Sequence, residues 1–427
     1  MSPSGKIGTI LTILISLTIG GVLVRDGRVL AAGIPFLFYA GIALVSLSQA
    51  RAPQIAIDRR LSADHITEGQ TIDVTVIITN TGPQIPWLGV VERIPRRLEV
   101  TGGETTCFTN LMPGAKISFS YTLRAPRGLH SLSGVDITTW QRITLTPQRQ
   151  FVPHETKFLA VPIAEPIDDI EIRPERTRAY AGVVRANRGG SGVEFFGCHA
   201  YTTGDDIRRI NWRAYARTRE LIVNEYEQER IADVTVFLDA RERANPRSGS
   251  ERTFTYAVRA AASMAKYFIK QGNSVGLFIY GEYIDWTFPG YGKDQMTRIL
   301  DSLARAETAD KEVFDDLRAV PTRLFPPRSQ LVMISGSLDE HDVEVLGELR
   351  AHGYRIIMIM PDLLGYEVSH IPASEARDLA LRIVTLRHKL ILDALASIGV
   401  EVIKWDVSDS LASLLSWTLS RRGRRLR

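Results

Sequence analysis

Val234-Thr235-Val236-Phe237-Leu238-Asp239 is apolar except for Thr235 and the aspartate that closes it. So short a run, rich in β-branched and aromatic residues, predicts a strand buried on both faces. The period then changes. Thr253 to Lys270 reads as an alanine-rich amphipathic helix, and Ser274 to Tyr280 as the next strand. An edge strand from Tyr283 to Phe288 follows, then a helix from Lys293 to Ala306, a strand from Gln330 to Ser335 and a helix from Asp339 to His352. The strand Arg355 to Met360, a helix from Ala376 to Ser397, the strand Val400 to Trp405 and a last helix to Ser420 complete the series. Buried strands alternating with amphipathic helices over residues 231–420 imply an α/β domain. Its sheet should be doubly wound and mostly parallel, with a crevice at the strand carboxyl ends.

Just before that domain stands Tyr201-Thr-Thr-Gly204-Asp205-Asp206-Ile-Arg208-Arg209-Ile210-Asn211-Trp212-Arg213-Ala-Tyr215-Ala-Arg217. Gly204 followed by two aspartates is a turn leading into a helix start, where either carboxylate caps free backbone N–H groups. A helix from Ile207 would put Ile207, Ile210 and Ala214 on one face and end near Arg217-Thr218. Leu221 to Tyr226 reads as a strand. Between Asp205 and Arg230 six arginines meet six acids. Matched charge predicts ion pairs and bidentate Arg–carboxylate bonds, as an internal brace or a partner-docking face. A nucleic-acid site would carry a one-sided excess of cations.

In order and spacing, Tyr201, Gly204, Asp205, Asp206, Arg208, Ile210, Trp212, Ala216-Arg217, Leu221 and Glu225 resemble the signature of the prokaryotic domain-of-unknown-function family number fifty-eight. The resemblance implies a von Willebrand factor A-like fold for the α/β domain and a MoxR-type AAA+ ATPase as partner. It also frames the crevice. Mg²⁺-binding domains of that type end their first strand in Asp-x-Ser-x-Ser, because a hard cation wants hydroxyl, carboxylate and water oxygens. This chain reads Asp239-Ala-Arg241-Glu-Arg243, with arginine at both serine positions. Its later loop reads Ile334-Ser335-Gly336-Ser337-Leu338-Asp339, with glycine where family members often carry aspartate. The expectation is a degenerate site without metal or other cofactor, Mg²⁺ being disfavoured. Its surviving oxygens are those of Asp239, Ser335, Ser337 and Asp339. No nucleophile elbow, His-Glu-x-x-His helix or oriented Cys–His pair predicts catalysis.

Toward the N-terminus, Ile7 to Val24 is an 18-residue run without charge, and Val29 to Leu47 another of 19. Each has the length of a membrane-spanning helix, and the link Arg25-Asp26-Gly27-Arg28 is tight. Residues 1–50 therefore predict a two-pass transmembrane hairpin in the cell membrane. Lys6, Arg51, Arg59 and Arg60 on one side, against Arg25 and Arg28 in the link, place the termini and the bulk of the chain in the cytoplasm.

Residues 53–155 alternate apolar and polar side chains, as in Thr71-Ile-Asp-Val-Thr-Val-Ile-Ile-Thr79, between Asn, Gly and Pro turns. That period of two predicts an all-β, seven-stranded sandwich of immunoglobulin-like type, with His130 and His154 solvated. Residues 156–230 join it to the α/β domain and include the signature segment. Pro162, Pro166, Pro174 and Arg188-Gly-Gly-Ser-Gly192 predict loop, and these glycines lack the Lys-Ser/Thr pair of a phosphate-binding loop. Cys198-His199 lacks a second pair of metal ligands.

The net charge is +4, yet the tail 421–427 holds five arginines, leaving the rest of the chain at −1. Such a body argues against nucleic acid as a partner. The tail reads as solvated or as a contact for anionic headgroups. These readings converge on a non-enzymatic, membrane-anchored scaffold or adaptor that aids assembly or activation of an unidentified client protein. The signature segment and the crevice loops would be its docking surface. An outward-facing adhesion or envelope-binding protein is the alternative, with membrane topology as the discriminating property.

Overall fold

The computed structural model describes residues 3–48, 52–140, 147–167, 189–203, 205–227, 232–245, 247–248, 251–281, 284–308, 325–326, 329–362 and 372–415. The chain divides into two compact units, Met1–Ala160 and Val161–Arg427.

In the first unit, helix α1 spans Pro3–Val24 and the chain turns at Arg25, which takes the left-handed conformation with φ 48°. Asp26 then caps α2, Gly27–Ala31, by accepting from the Arg28 amide at 2.9 Å. Helix α3 follows as Ile34–Ser48. The second apolar run is thus broken, where one continuous helix was expected. Pro35 has no amide hydrogen with which to prolong α2, but it fits the first turn of a new helix. At 1.5 Å per residue, α1 is about 33 Å long and α3 about 22 Å. Among the described residues no helix is long and apolar enough to cross a membrane. The side chains of residues 3–8, 10–11, 40 and 43–48 lie outside that description. Those described include Leu23 and Phe38, which are 77% and 72% exposed.

Among the described residues nine strands form the β-rich part, two more than the alternation predicted. They are β1 Ile55–Leu61, β2 His65–Thr67, β3 Thr71–Asn80, β4 Ile85–Glu92, β5 Glu99–Gly103, β6 Thr106–Leu111, β7 Lys116–Arg124, β8 Gly128–Trp140 and β9 Gln148–Val161. Short strands such as β2 and β5 carry too few residues to show a period in the sequence. The strands make two sheets, β1-β3-β7-β5 and β2-β9-β8-β4-β6. Alternate residues of β3 (Ile72, Val74, Val76, Ile78) and of the other sheet (Leu88, Val90, Leu132, Ile137) share one core. Inside it, the buried Arg59 guanidinium donates to Glu92 at 2.6 Å and to the Leu132 and His154 carbonyls at 3.0 and 2.8 Å. His130 is buried rather than solvated, because its place in β8 aligns it with the inward residue Leu132. Its Nε2 lies 2.7 Å from the Pro126 carbonyl and its ring is tilted against Phe158. His154 is half-buried.

The second unit opens with a segment to Ile167 that packs against the core. It continues with β10 Gly189–Ala200, α4 Trp212–Thr218 and β11 Ile222–Glu227. The glycine-rich stretch expected as loop is the start of β10, with Gly189 opposite Glu227. Register shifts between Gly190 and Phe195 accommodate its glycines, which is where strands tolerate them.

The α/β part contains β12 Asp233–Asp239, the small pair β13 Arg247–Ser248 and β14 Glu251–Arg252, α5 Thr253–Lys270, β15 Ser274–Tyr280 and β16 Ile284–Gly290. Then come α6 Gly292–Arg305, β17 Gln330–Ile334, α7 Glu340–Ala351, β18 Arg355–Asp362, α8 Glu375–Ser397 and β19 Glu401–Asp406. The sheet order is β16-β15-β12-β17-β18-β19, parallel throughout except for the antiparallel edge strand β16. Val234, Val236 and Leu238 pack with α5 and α6 on one face, while Phe237 packs with α7 and α8 on the other. A strand covered on both faces explains why β12 reads as a continuous apolar run. The last described residues, 411–415, are helical. The arginine tail lies beyond them, outside the described residues. The whole is a mixed α/β and β-rich fold with several sheets.

Candidate functional site

From β12 the chain goes first to β15 and β16 on one side of the sheet, then crosses to β17, β18 and β19 on the other. The loops after β12 and β17 therefore diverge at a topological switch point, where α/β sheets open a crevice. Four residues singled out in the sequence meet there, and a fifth organises them.

The fifth is Arg241, which is fully buried. Its Nε and one terminal nitrogen grip the two Asp239 oxygens at 2.9 and 2.7 Å. Its two terminal nitrogens also reach both oxygens of Asp342, at 3.0 and 3.1 Å. The flat guanidinium fork suits two bidentate carboxylates in a way no ammonium could. Ser335 Oγ donates to Asp239 at 2.9 Å, and its other contact is the Ser337 carbonyl. Asn245 closes the turn by donating to the Asp239 and Arg241 carbonyls. Asp339 and Asp342 form a reciprocal capping box at the start of α7, and Arg243 pairs with Asp339 at 2.6 Å on the outer side.

Burial alone would pull the Arg241 guanidinium down, but its bonds to Asp239 and the charge of both carboxylates outweigh burial and hold its pKa above the ordinary value. Asp342 is pushed up, chiefly by burial, against the pull of Arg241. Asp339 is held low: burial opposes this, and the Asp342 amide and the Arg243 cation overcome it. Gly336 is boxed in. A Cβ there would stand 2.5 Å from Thr253 Cγ2 and 2.6 Å from the Ala244 carbonyl. Among the described residues no group of three or more His, Cys, Asp or Glu could hold a metal ion. Beside Arg241 and Arg243 the crevice opens into a cavity of about 380 Å³, walled on the far side by Val384, Arg387, His388 and Ile391 of α8.

The signature segment forms a second, separate constellation. Asp206 caps a 3₁₀ turn, Ile207–Arg209, and Asn211 caps α4, so the helix expected from Ile207 is split in two. Ile210 sits at the split, buried and bridged to Val223, while Ile207 is 64% exposed. Asp205 accepts from the Thr202 amide and hydroxyl at 2.7 and 2.9 Å and lies 3.2 Å from His199. Those bonds, led by the Thr202 amide, hold its carboxyl below the usual range. Asp205 and Asp206 bond to backbone amides, the Thr202 hydroxyl and the His199 ring. Tyr201 and Leu221 join β10 to β11 through a 2.8 Å backbone bond. Trp212, Tyr215 and Leu221 are exposed, as are Arg208, Arg213 and Arg217. Gly204 lies outside the described residues; Glu225 is placed in β11, with its side chain outside them.

Asp239, Ser335, Ser337 and Asp339 are thus brought together, Ser337 through its carbonyl. Asp342 and Asn245 were not anticipated. The spacing Asp339-x-x-Asp342 ahead of α7 is a capping signal that marks the former.

A doubly wound domain with a guanidinium-filled switch-point crevice, in a chain that also carries a β-rich unit, defines the class. Residues 198–391 match the family model described as "Protein of unknown function DUF58". It is also 23% identical over 256 residues to "Uncharacterized protein YeaD" of Bacillus subtilis (strain 168), across 59% of this chain. The chain spans 61% of that relative's length. Among solved structures, a FixG-related protein from Vibrio parahaemolyticus matches 26% of this chain and 98% of its own at 10% identity, with a TM-score of 0.18. An alpha-2-macroglobulin from Escherichia coli matches 30% of this chain and 22% of its own at 16% identity, with a TM-score of 0.21. Scores so low carry no argument.

Proposed function

We propose that this protein is a membrane-anchored scaffold or adaptor that acts by docking rather than by catalysis. The observation that carries the reading is Arg241. Where a metal-dependent crevice would present a cation with an open coordination position, this one holds a buried guanidinium hydrogen-bonded to Asp239 and Asp342. Asp239 and Ser335 are engaged in that network, which supports a crevice that disfavours Mg²⁺. The sheet order and antiparallel edge strand support a von Willebrand factor A-like domain. Two sheets over one core support an immunoglobulin-like sandwich.

The exposed apolar side chains of α1 and α3, together with the uncharged run Ile7–Val24, support a hairpin anchor in the cell membrane. The flanking cations put the bulk of the chain in the cytoplasm. The exposed Trp212, Tyr215 and Leu221, set among Arg208, Arg213 and Arg217, form the docking face. Its partner is a MoxR-type AAA+ ATPase, and the client is another protein; nucleic acid is not a partner.

The test is co-purification of the tagged full-length protein with a MoxR-type ATPase from the same genome. Co-elution that is lost in Trp212→Ala/Arg213→Glu is expected. Absence of co-elution, combined with a C-terminal reporter reached by protease on intact cells, would overturn the reading and leave outward-facing adhesion.

A further inference from the structure

Helix α8 is buried only at Ile391 and Leu395, near its C-terminal end. Toward its start nearly every residue is exposed, including Leu379, Ile383, Leu386 and Leu390 at 60%, 58%, 61% and 71%. Their spacing of four, three and four residues is the period of a seam that receives another helix. Arg382 and Lys389 flank the seam on one side and Arg387 on the other. The Arg387 flank borders a groove of about 750 Å³ against α7, whose wall includes Glu340 and Glu344. That groove shares Asp339, Arg387 and Ile391 with the cavity beside Arg241, so the seam is continuous with the crevice.

We propose that the exposed seam of α8 is the docking rail for an acidic amphipathic helix of another protein. The charges select the occupant. Pairing with a second copy would set Arg382 against Arg387 in a parallel arrangement and against Lys389 in an antiparallel one, repulsive either way. An anionic lipid surface would be opposed by Glu340 and Glu344 beside the groove. A helix with leucines along its seam and glutamates on the flank facing Arg382 and Lys389 satisfies both the apolar and the cationic features. This site is distinct from the signature-segment face and does not depend on it.

The test uses the full-length protein in nanodiscs of zwitterionic lipid and two labelled synthetic heptad peptides. The peptides share a leucine seam and carry either glutamate or lysine on their flanks. Fluorescence anisotropy is expected to show the glutamate peptide binding at least about tenfold more tightly than the lysine peptide. Leu386→Asp should abolish that binding, and Arg382→Glu/Lys389→Glu should reverse the preference; both change exposed positions and leave the core alone. Equal affinity for the two peptides, or binding that survives Leu386→Asp, overturns the proposal. So do dimers in sedimentation that Leu386→Asp dissolves, which would name a second copy. Protection of α8 from hydrogen exchange in anionic nanodiscs alone, with neither peptide binding, would name the lipid surface.

Discussion

Removing the guanidinium of Arg241 leaves Asp239 and Asp342 buried without a counter-charge. Breaking a buried pair from one side costs about 3–5 kcal/mol, so Arg241→Ala should lower the urea midpoint of the full-length protein by a corresponding amount. Arg243→Ala removes a half-exposed partner of Asp339, and its effect should stay within about 1 kcal/mol. Equal effects from the two variants would contradict the distinction. His130 carries a pH dependence. Burial lowers its pKa below the ordinary 6.5, so the unfolded chain binds its proton more tightly than the folded one. The stability it contributes is complete above about 6.5 and is lost as the pH falls through the lower folded value. Glu92, raised chiefly by burial, works in the opposite sense, which is why a difference is needed. Between about pH 7.5 and pH 5 the melting midpoint of the wild type should fall further than that of His130→Gln. Parallel curves would assign the pH dependence to other groups.

At the scale of elements, Asn211 joins the two halves of the signature segment. Its side chain accepts from the Ala214 amide at 3.0 Å and donates to Asn224 at 2.9 Å. Asn211→Ala should cost about 1 kcal/mol locally, read as faster hydrogen exchange across 212–218 with the β12 amides unchanged. Faster exchange in both would mean that the segment is not an independent brace. Elements with a strong period were legible in the sequence: β12, α5 and α8 lie within a residue or two of their predicted limits. The misses have local causes. Pro35 breaks an apolar run whose uniform hydropathy does not show the break. Glycines disguised the start of β10, whose pairing with β11 supplies the order its composition does not. Arg241 and Asp342 stand 101 residues apart, so no local pattern could announce that one arginine would hold both loops. His130 looked solvated because a lone histidine in an alternating strand gives no sign of which face it takes.

For the whole molecule, two units of different class share one chain, and the α/β unit is organised around a charge cluster that it satisfies internally. The division into an all-β part and an α/β part was readable from the switch of period near residue 230. The proposed docking function was not, because a docking surface is defined by its partner's shape as much as by its own residues. The claim most open to direct test is that a protein cation stands where a metal ion would. Calorimetric titration of Mn²⁺ into the full-length wild type and into Arg241→Ser measures it. No binding to the wild type is expected, with binding gained in Arg241→Ser, where the Asp239, Ser335 and Asp342 oxygens are released toward the cavity. Tight Mn²⁺ binding by the wild type that is lost in Asp239→Asn would contradict it and reopen metal-dependent chemistry in the crevice.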